Sequence, residues 1–435
     1  MSSSKFEEFL NKVTSKVKSK EAHGMIKKEL THHLQELSHS FQKRNSSQEE
    51  ADAKAINEMG NPFTIGESLN RIHKPKIDWV LIFLFVMMIS ISFLPLRGGP
   101  SELSSYFIGR QTIWLTLSVL VIVGVLFFDY RKLKNWWIFF YGSGLILHLY
   151  IHLFGYMTNG VKKWMSIGGV TIDVTAITLL LFFLAWAGIF SKINEFHSWI
   201  KQVLLFFLFW TPILLYILVP QVMLSIMYIF FMIAMFAFSH IHKKLALKLA
   251  ATNVVAGIIF MATMLITSHG GYYYNRLFAF INPEADPNGA GYMYIVVRDA
   301  LLQAGWLGNG LYNLHSIPEP HTDFVFPYLV YSLGWAFGIL LCTMLLIFIL
   351  RISKNAFKTK DLYGRLLVIG GATLFTVPAF WNILMGFELV PIMAVPLPFI
   401  SYGGSMLLFN SVILGLILNV YRRKDITEPT IVKQL

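Results

Sequence analysis

The 435-residue chain has one cysteine, 24 acidic residues and only 14% charged residues, against 55% hydrophobic ones. A single thiol, Cys342, excludes an internal disulfide, and its place between Leu341 and Thr343 in an apolar run reads as a small packed hydrophobe. So little charge excludes an ordinary soluble globular protein, where about a quarter of residues are charged. The net charge of +12 does not imply nucleic acid as a partner, because the basic residues fall between apolar runs, where they act as topology signals. No spacing of His, Cys, Asp or Glu encodes a metal site. The first long apolar run begins only near Asp78, so no amino-terminal secretory signal is expected.

What the chain does have is about ten apolar runs, centred on 79–96, 111–128, 135–157, 174–191, 203–219, 222–240, 247–268, 324–350, 366–386 and 403–421. Runs of roughly 17 to 25 residues match a hydrocarbon core about 30 Å thick, and continuous apolar sequence satisfies its backbone there only as helix. The expected fold is all-α, a polytopic membrane protein of about ten spans. Basic residues concentrate in alternate loops: Arg131, Lys132 and Lys134; Lys192 and Lys201; Lys243, Lys244 and Lys248; Arg351 to Arg365; Arg422 to Lys424. The intervening loops hold only Arg97, Arg110, Lys162, Lys163, Arg276 and Arg298, so both termini are expected in the cytoplasm.

Residues 1–76 are polar, with helical spacing in FEEFLNKV and MIKKELTHHLQEL, then a cap at Ser46 or Ser47 and a stop at Gly60. This predicts a cytoplasmic three-helix module ahead of a membrane domain over 77–425 and a cytoplasmic tail over 426–435. Its closing segment, MGNPFTIGESLNRI, resembles the end of the short helical prefix domains ahead of some bacterial permeases and membrane regulators. An interaction module and a stabilising appendage both fit.

The longest outside loop, 268–323, is long enough to be functional. It holds NPEADPNGAGY, which must turn sharply, then YMYIVVRDALLQAGWLG, too short and charged to span and expected as an interfacial or re-entrant helix. Three motifs carry chemistry. IPEPHTDFVF (317–326) puts His321 and Asp323 at the entry to the eighth span, where a carboxylate is either functional or a helix N-cap. VPLPFISYGGS (395–405) forbids regular helix at Pro396 and Pro398, and reads as a cavity wall or as a plain hairpin between helices. VKKWMSIGG (161–169) sets two lysines beside Trp164, suited to a pyrophosphate or sugar, or to anchoring at the headgroup level.

These motifs, in this order across this layout, resemble the SEDS family, the FtsW/RodA/SpoVE proteins of bacterial division, elongation and sporulation, over about residues 79–425. The resemblance implies a SEDS fold in the bacterial cytoplasmic membrane and polymerisation of lipid II into peptidoglycan, with Asp323 as the essential acid. It implies Lys162, Lys163, Trp164, Arg276, Glu284, Asp286, Arg298, His321, Thr322, Ser401, Tyr402, Gly403 and Gly404 as substrate-binding candidates. A divalent metal, Mg or Mn, held partly by Asp323, and a class B penicillin-binding protein transpeptidase as partner are further implications, beside an unknown cytoplasmic partner of the amino-terminal module. The chain also departs from the family. Where members have Gln-Pro-Ser-Glu and a following Lys it has Asp173-Val174-Thr175-Ala176 and Leu179; the element at Val219-Pro220-Gln221-Val222-Met223 lacks its acid; and Tyr331 and Ser332 replace a glutamate pair. Two rival readings are therefore carried: a scaffold or regulator of a cell-wall synthase, and a flippase for a lipid-linked precursor.

Overall fold

The computed structural model describes residues 4–43, 47–98, 101–158, 160–168, 170–267, 271–311 and 317–424, so the tail predicted over 426–435 lies outside the described residues. The chain forms two compact units, Met1–Asp78 with Val420–Leu435, and Trp79–Asn419.

The first unit contains four helices where the sequence predicts three: α1 (Ser4–Ser15), α2 (Lys20–Gln42), α3 (Gln48–Met59) and α4 (Pro62–Ile72). The extra helix is the NPFTIGESLNRI segment. Asn61 Oδ1 accepts from Phe63 N at 2.9 Å and Pro62 occupies the first turn, a strong local start signal. Phe6, Phe9, Leu10 and Val13 of α1 share a core with Ile26, Leu30 and Leu34 of α2 and Ala55 of α3. Within this unit Arg423, 1% exposed, is held by both carboxylate oxygens of Glu21 at 2.6 and 2.8 Å.

The second unit runs α5 (Trp79–Ser92), α6 (Ser101–Phe127), α7 (Trp137–Phe154), α8 (Val174–Ser191), α9 (Trp199–Leu218), α10 (Val222–Ala237), α11 (Lys243–Thr267), α12 (Tyr272–Ile281), α13 (Tyr292–Gln303), α14 (Val325–Phe357), α15 (Leu362–Gly386) and α16 (Gly404–Arg423) as far as Asn419. Among the described residues nine helical stretches are long and apolar enough to cross a membrane; the tenth predicted span is the 16-residue α10. The described part of the long loop contains the two short helices α12 and α13. At the centre α8 packs against α7, α10 and α15, burying Phe182, Phe183, Trp186 and Phe190.

The helical fold carries one small sheet that hydropathy does not show. Strands β1 (Tyr156–Thr158), β2 (Val161–Ile167) and β3 (Val170–Asp173) run antiparallel in sequence order. Gly160 and Gly168, at φ 78° and 58°, take the left-handed turn conformations that glycine adopts without steric cost. The β2–β3 register sets Trp164 opposite Asp173.

Helix α14 is broken at Gly334, φ 84° and ψ 171°. The carbonyls of Tyr331 and Ser332 accept instead from Asn309 N and Gly310 N at 3.0 and 2.9 Å, while Trp335 N and Ala336 N donate to Gly305 and Trp306 at 3.0 and 3.3 Å. Two lost helical bonds are thus replaced by four to the 305–310 segment, which satisfies backbone that lipid could not.

Candidate functional site

Asp323 lies in the turn just before α14. The N-cap of that helix is Phe324 and no side chain caps it, so Asp323 is not spent as a cap. Among the described residues its carboxylate accepts no hydrogen bond. What is fixed is its backbone. Tyr402 N donates to the His321 carbonyl at 2.7 Å. Ser401 Oγ donates to the Thr322 carbonyl at 2.5 Å and accepts from Leu397 N at 2.7 Å. Asn382 Nδ2 donates to the Asp323 carbonyl at 2.8 Å and to that of Val395 at 2.5 Å. Three successive carbonyls are thus pinned, two of them by the 395–405 loop itself.

That loop is irregular and well packed. Val395, Leu397, Phe399 and Ile400 are all buried, and Phe399, at φ 64°, packs its ring at 5.1 Å from Phe85 and 5.3 Å from Phe375. Aromatic packing of this kind offsets a left-handed conformation costing about 1–3 kcal/mol. At Gly404 a Cβ would fall 2.1 Å from the Trp114 ring, so glycine is needed there for α6 to approach. Gly403 contributes the carbonyl that accepts from Leu407 N at 2.9 Å, opening α16.

The charges around Asp323 come from two residues, Lys163 and Glu319. Burial pushes its carboxyl up to about 6, with Glu319 adding to the rise and the Lys163 ammonium opposing it. His321 is drawn below the usual histidine range by burial, so it stands neutral, its ring 4.8 Å from Phe107 and 5.7 Å from Tyr402. Thr322 Oγ1 bonds Glu319 Oε2 at 3.1 Å. The geometry can hold a poorly solvated carboxylate beside one ammonium, ready to take a proton.

Lys163 stands on β2. Its Nζ lies 3.1 Å from Asp173 Oδ2 and 4.9 Å from the centroid of the Trp164 ring. Lys162 is exposed, opposite Met157 across the β1–β2 pair. Asp173 is not among the site residues expected from the sequence, although an Asp just before an apolar helix that opens with Val-Thr carries a recognisable cap signal. Asn382 was missed too, because one amide within an apolar run carries no sign of which carbonyls it will meet.

The remaining candidates form a second group. Arg298 Nη2 is 2.5 Å from Glu284 Oε1 and its Nε is 3.9 Å from Glu388 Oε1. Arg276 Nη1 donates to the Ile392 carbonyl at 3.4 Å, and Ile392 N donates to Tyr294 Oη at 2.9 Å. Burial raises the Glu388 carboxyl, against the pull of Arg298. Asp286 is occupied in its own turn, accepting from Ala290 N at 2.9 Å. None of these residues makes a hydrogen bond or ion pair with Asp323 among the described residues.

A divalent metal finds a poor donor set here. Among the described residues no three His, Cys, Asp or Glu side chains converge, and the charges nearest Asp323 are one carboxylate and one ammonium. No step is derived through a metal.

The sequence profile of the family described as "Cell cycle protein", FtsW/RodA/SpoVE, matches residues 75–426. The chain is 25% identical over 358 residues to a "Probable peptidoglycan glycosyltransferase FtsW" of Trichlorobacter lovleyi, covering 79% of this chain and 93% of that one. It is 25% identical over 369 residues to the "Peptidoglycan glycosyltransferase MrdB" of Escherichia coli K12, covering 82% and 97%. In fold it resembles a chain from the structure titled "Structural coordination of polymerization and crosslinking by a peptidoglycan synthase complex", with a TM-score of 0.69, 23% identity and coverage of 80% and 98%. It also resembles the RodA rod shape determining protein of Thermus thermophilus, with a TM-score of 0.57, 20% identity and coverage of 80% and 97%.

Proposed function

The chain belongs to the FtsW/RodA/SpoVE family, and from that premise we propose that it is a multi-pass membrane peptidoglycan glycosyltransferase, polymerising lipid II at the outer face of the bacterial cytoplasmic membrane. The observation that carries this reading is Asp323: uncapped, largely desolvated, and held through three pinned carbonyls.

In the reaction an acceptor sugar hydroxyl bonds to the anomeric carbon of the donor as the bond from that carbon to the pyrophosphate oxygen breaks. The hydroxyl proton passes to the Asp323 carboxylate, and the leaving pyrophosphate carries away the electron pair. Lys163 supplies positive charge at the site, suited to the anionic leaving group. Burial keeps the carboxyl basic enough to accept the proton while leaving it mostly ionised at neutral pH.

Both termini are assigned to the cytoplasm from the loop charges, and residues 1–76 with them, as an interaction module or a stabilising appendage. A class B penicillin-binding protein is the assigned partner, supported by the likeness to a chain from a polymerising and crosslinking complex. The test is the full chain in proteoliposomes given lipid II. Wild type should yield glycan strands and Asp323→Ala none; equal product from both would sink the assignment. Lipid II crossing the bilayer without polymer would favour the flippase reading instead.

A further inference from the structure

Resting on the reading of Asp323 as the base, we propose that Asp173 is a positioning residue for the reaction: it holds the Lys163 ammonium at the site and ties it to the loop that fixes Asp323.

The two oxygens of Asp173 have separate tasks. Oδ1 accepts from Thr175 N at 3.0 Å and Thr175 Oγ1 at 2.5 Å, capping α8, while Oδ2 faces Lys163 Nζ at 3.1 Å. Asp173 is only 6% exposed and its own N–H donates to Ser405 Oγ at 3.0 Å, so it is fixed at backbone and side chain alike. A lysine on four methylenes has many rotamers, and a bare ammonium does not impose direction as a guanidinium does. Here the ammonium is held between the Trp164 ring, 4.9 Å from its centroid, and Asp173 Oδ2.

The anchor gives the contact its meaning. Ser405 belongs to the same 395–405 motif whose Ser401 and Tyr402 pin the carbonyls of Thr322 and His321. The acid and the cation therefore take their places from one loop, Asp323 through the carbonyls of the two residues before it and Lys163 through Asp173. A helix cap alone would explain Oδ1 and leave the ion pair at Oδ2 incidental. Asparagine and serine cap as well as aspartate does, so removing the charge need not remove the cap.

The experiment compares lipid II polymerisation by the full chain in proteoliposomes for Asp173→Asn, Asp173→Ser, Asp173→Glu, Lys163→Met and the Asp173→Asn/Lys163→Met pair, with thermal unfolding of each. Asp173→Asn and Asp173→Ser are expected to lower kcat by about 10- to 100-fold, the range of a misplaced charged group, with unfolding midpoints near wild type. Asp173→Glu should recover most of that loss. In the Lys163→Met background, Asp173→Asn should cost less than about twofold more, because the two act as one unit. Both cap-competent variants at wild-type kcat, or losses that multiply in the double variant, would overturn the proposal. Polymer formation by Asp323→Asn would instead sink the base assignment on which it rests, whereas an inactive Asp323→Asn beside a fully active Asp173→Asn would sink this proposal alone.

Discussion

The backbone amide of Tyr402 donates to the carbonyl of His321 at 2.7 Å, and with that bond two motifs far apart in the chain become one surface. Ser401 completes the join by donating to Thr322 while accepting from Leu397. The segment bearing the acid is thus held by its main chain, leaving the carboxylate itself available.

Ser401→Ala should weaken both the join and the chemistry. The buried amide of Leu397 and the carbonyl of Thr322 each lose a partner, at about 1–3 kcal/mol. The unfolding midpoint in detergent should fall, and polymerisation should drop by about tenfold or more, whereas Ser401→Thr keeps the hydroxyl and most of the rate.

The pH profile of polymerisation should show an acid limb near pH 6, because the base works only when ionised and burial has raised its carboxyl to about that value. Glu319 adds to the rise, so Glu319→Gln should move the limb to lower pH; Lys163 opposes it, so Lys163→Met should move it to higher pH. Initial rates between pH 5 and 8 check both signs.

Asp323→Asn should be inactive yet more stable at pH 8. A carboxyl raised from 3.8 to about 6 on folding favours the folded state when protonated, and that advantage is lost as pH rises through the folded value. Above it the ionised group costs on the order of 1–3 kcal/mol, which the neutral amide avoids. The gain in unfolding midpoint should therefore be present at pH 8 and absent at pH 4, and a gain equal at both would contradict the burial account.

Gly334→Ala should destabilise the fold severely. The residue sits at φ 84°, and a Cβ there would lie 2.2 Å from the Trp306 carbonyl oxygen. A rigid backbone atom at that distance must move, which breaks the four bonds that splice the helix; loss of about 3 kcal/mol or more is expected, read as reduced folded yield and unfolding midpoint.

Much of this was legible beforehand because it is written in local chemistry. Pro396, Pro398 and the Gly403-Gly404 pair forbid regular helix, so the irregular loop could be placed from composition. Apolar runs located the spans because lipid imposes length. The sheet was not legible: the 135–157 run ends among the residues of β1, and Val161–Ile167 alternates too weakly to outweigh the hydropathy around it. Nor was it legible whether Asp323 caps a helix, since an acid in that place suits a cap or a free carboxylate alike, and only the start of α14 at Val325 without a side-chain cap excludes the cap. The pairing of Lys163 with Asp173 depends on a β register that no single strand encodes.

The splice at Gly334 also has a mechanical consequence. Helix α14 behaves as two rods, and the rod that begins beside Asp323 is fastened to the 305–310 segment through Tyr331 and Ser332. The same segment also holds the long rod, through Trp335 and Ala336, so a pull on it acts at the junction of the two rods and reaches the acid's end through one short, stiff length of helix. A protein gripping that segment would hold the joint between the two rods.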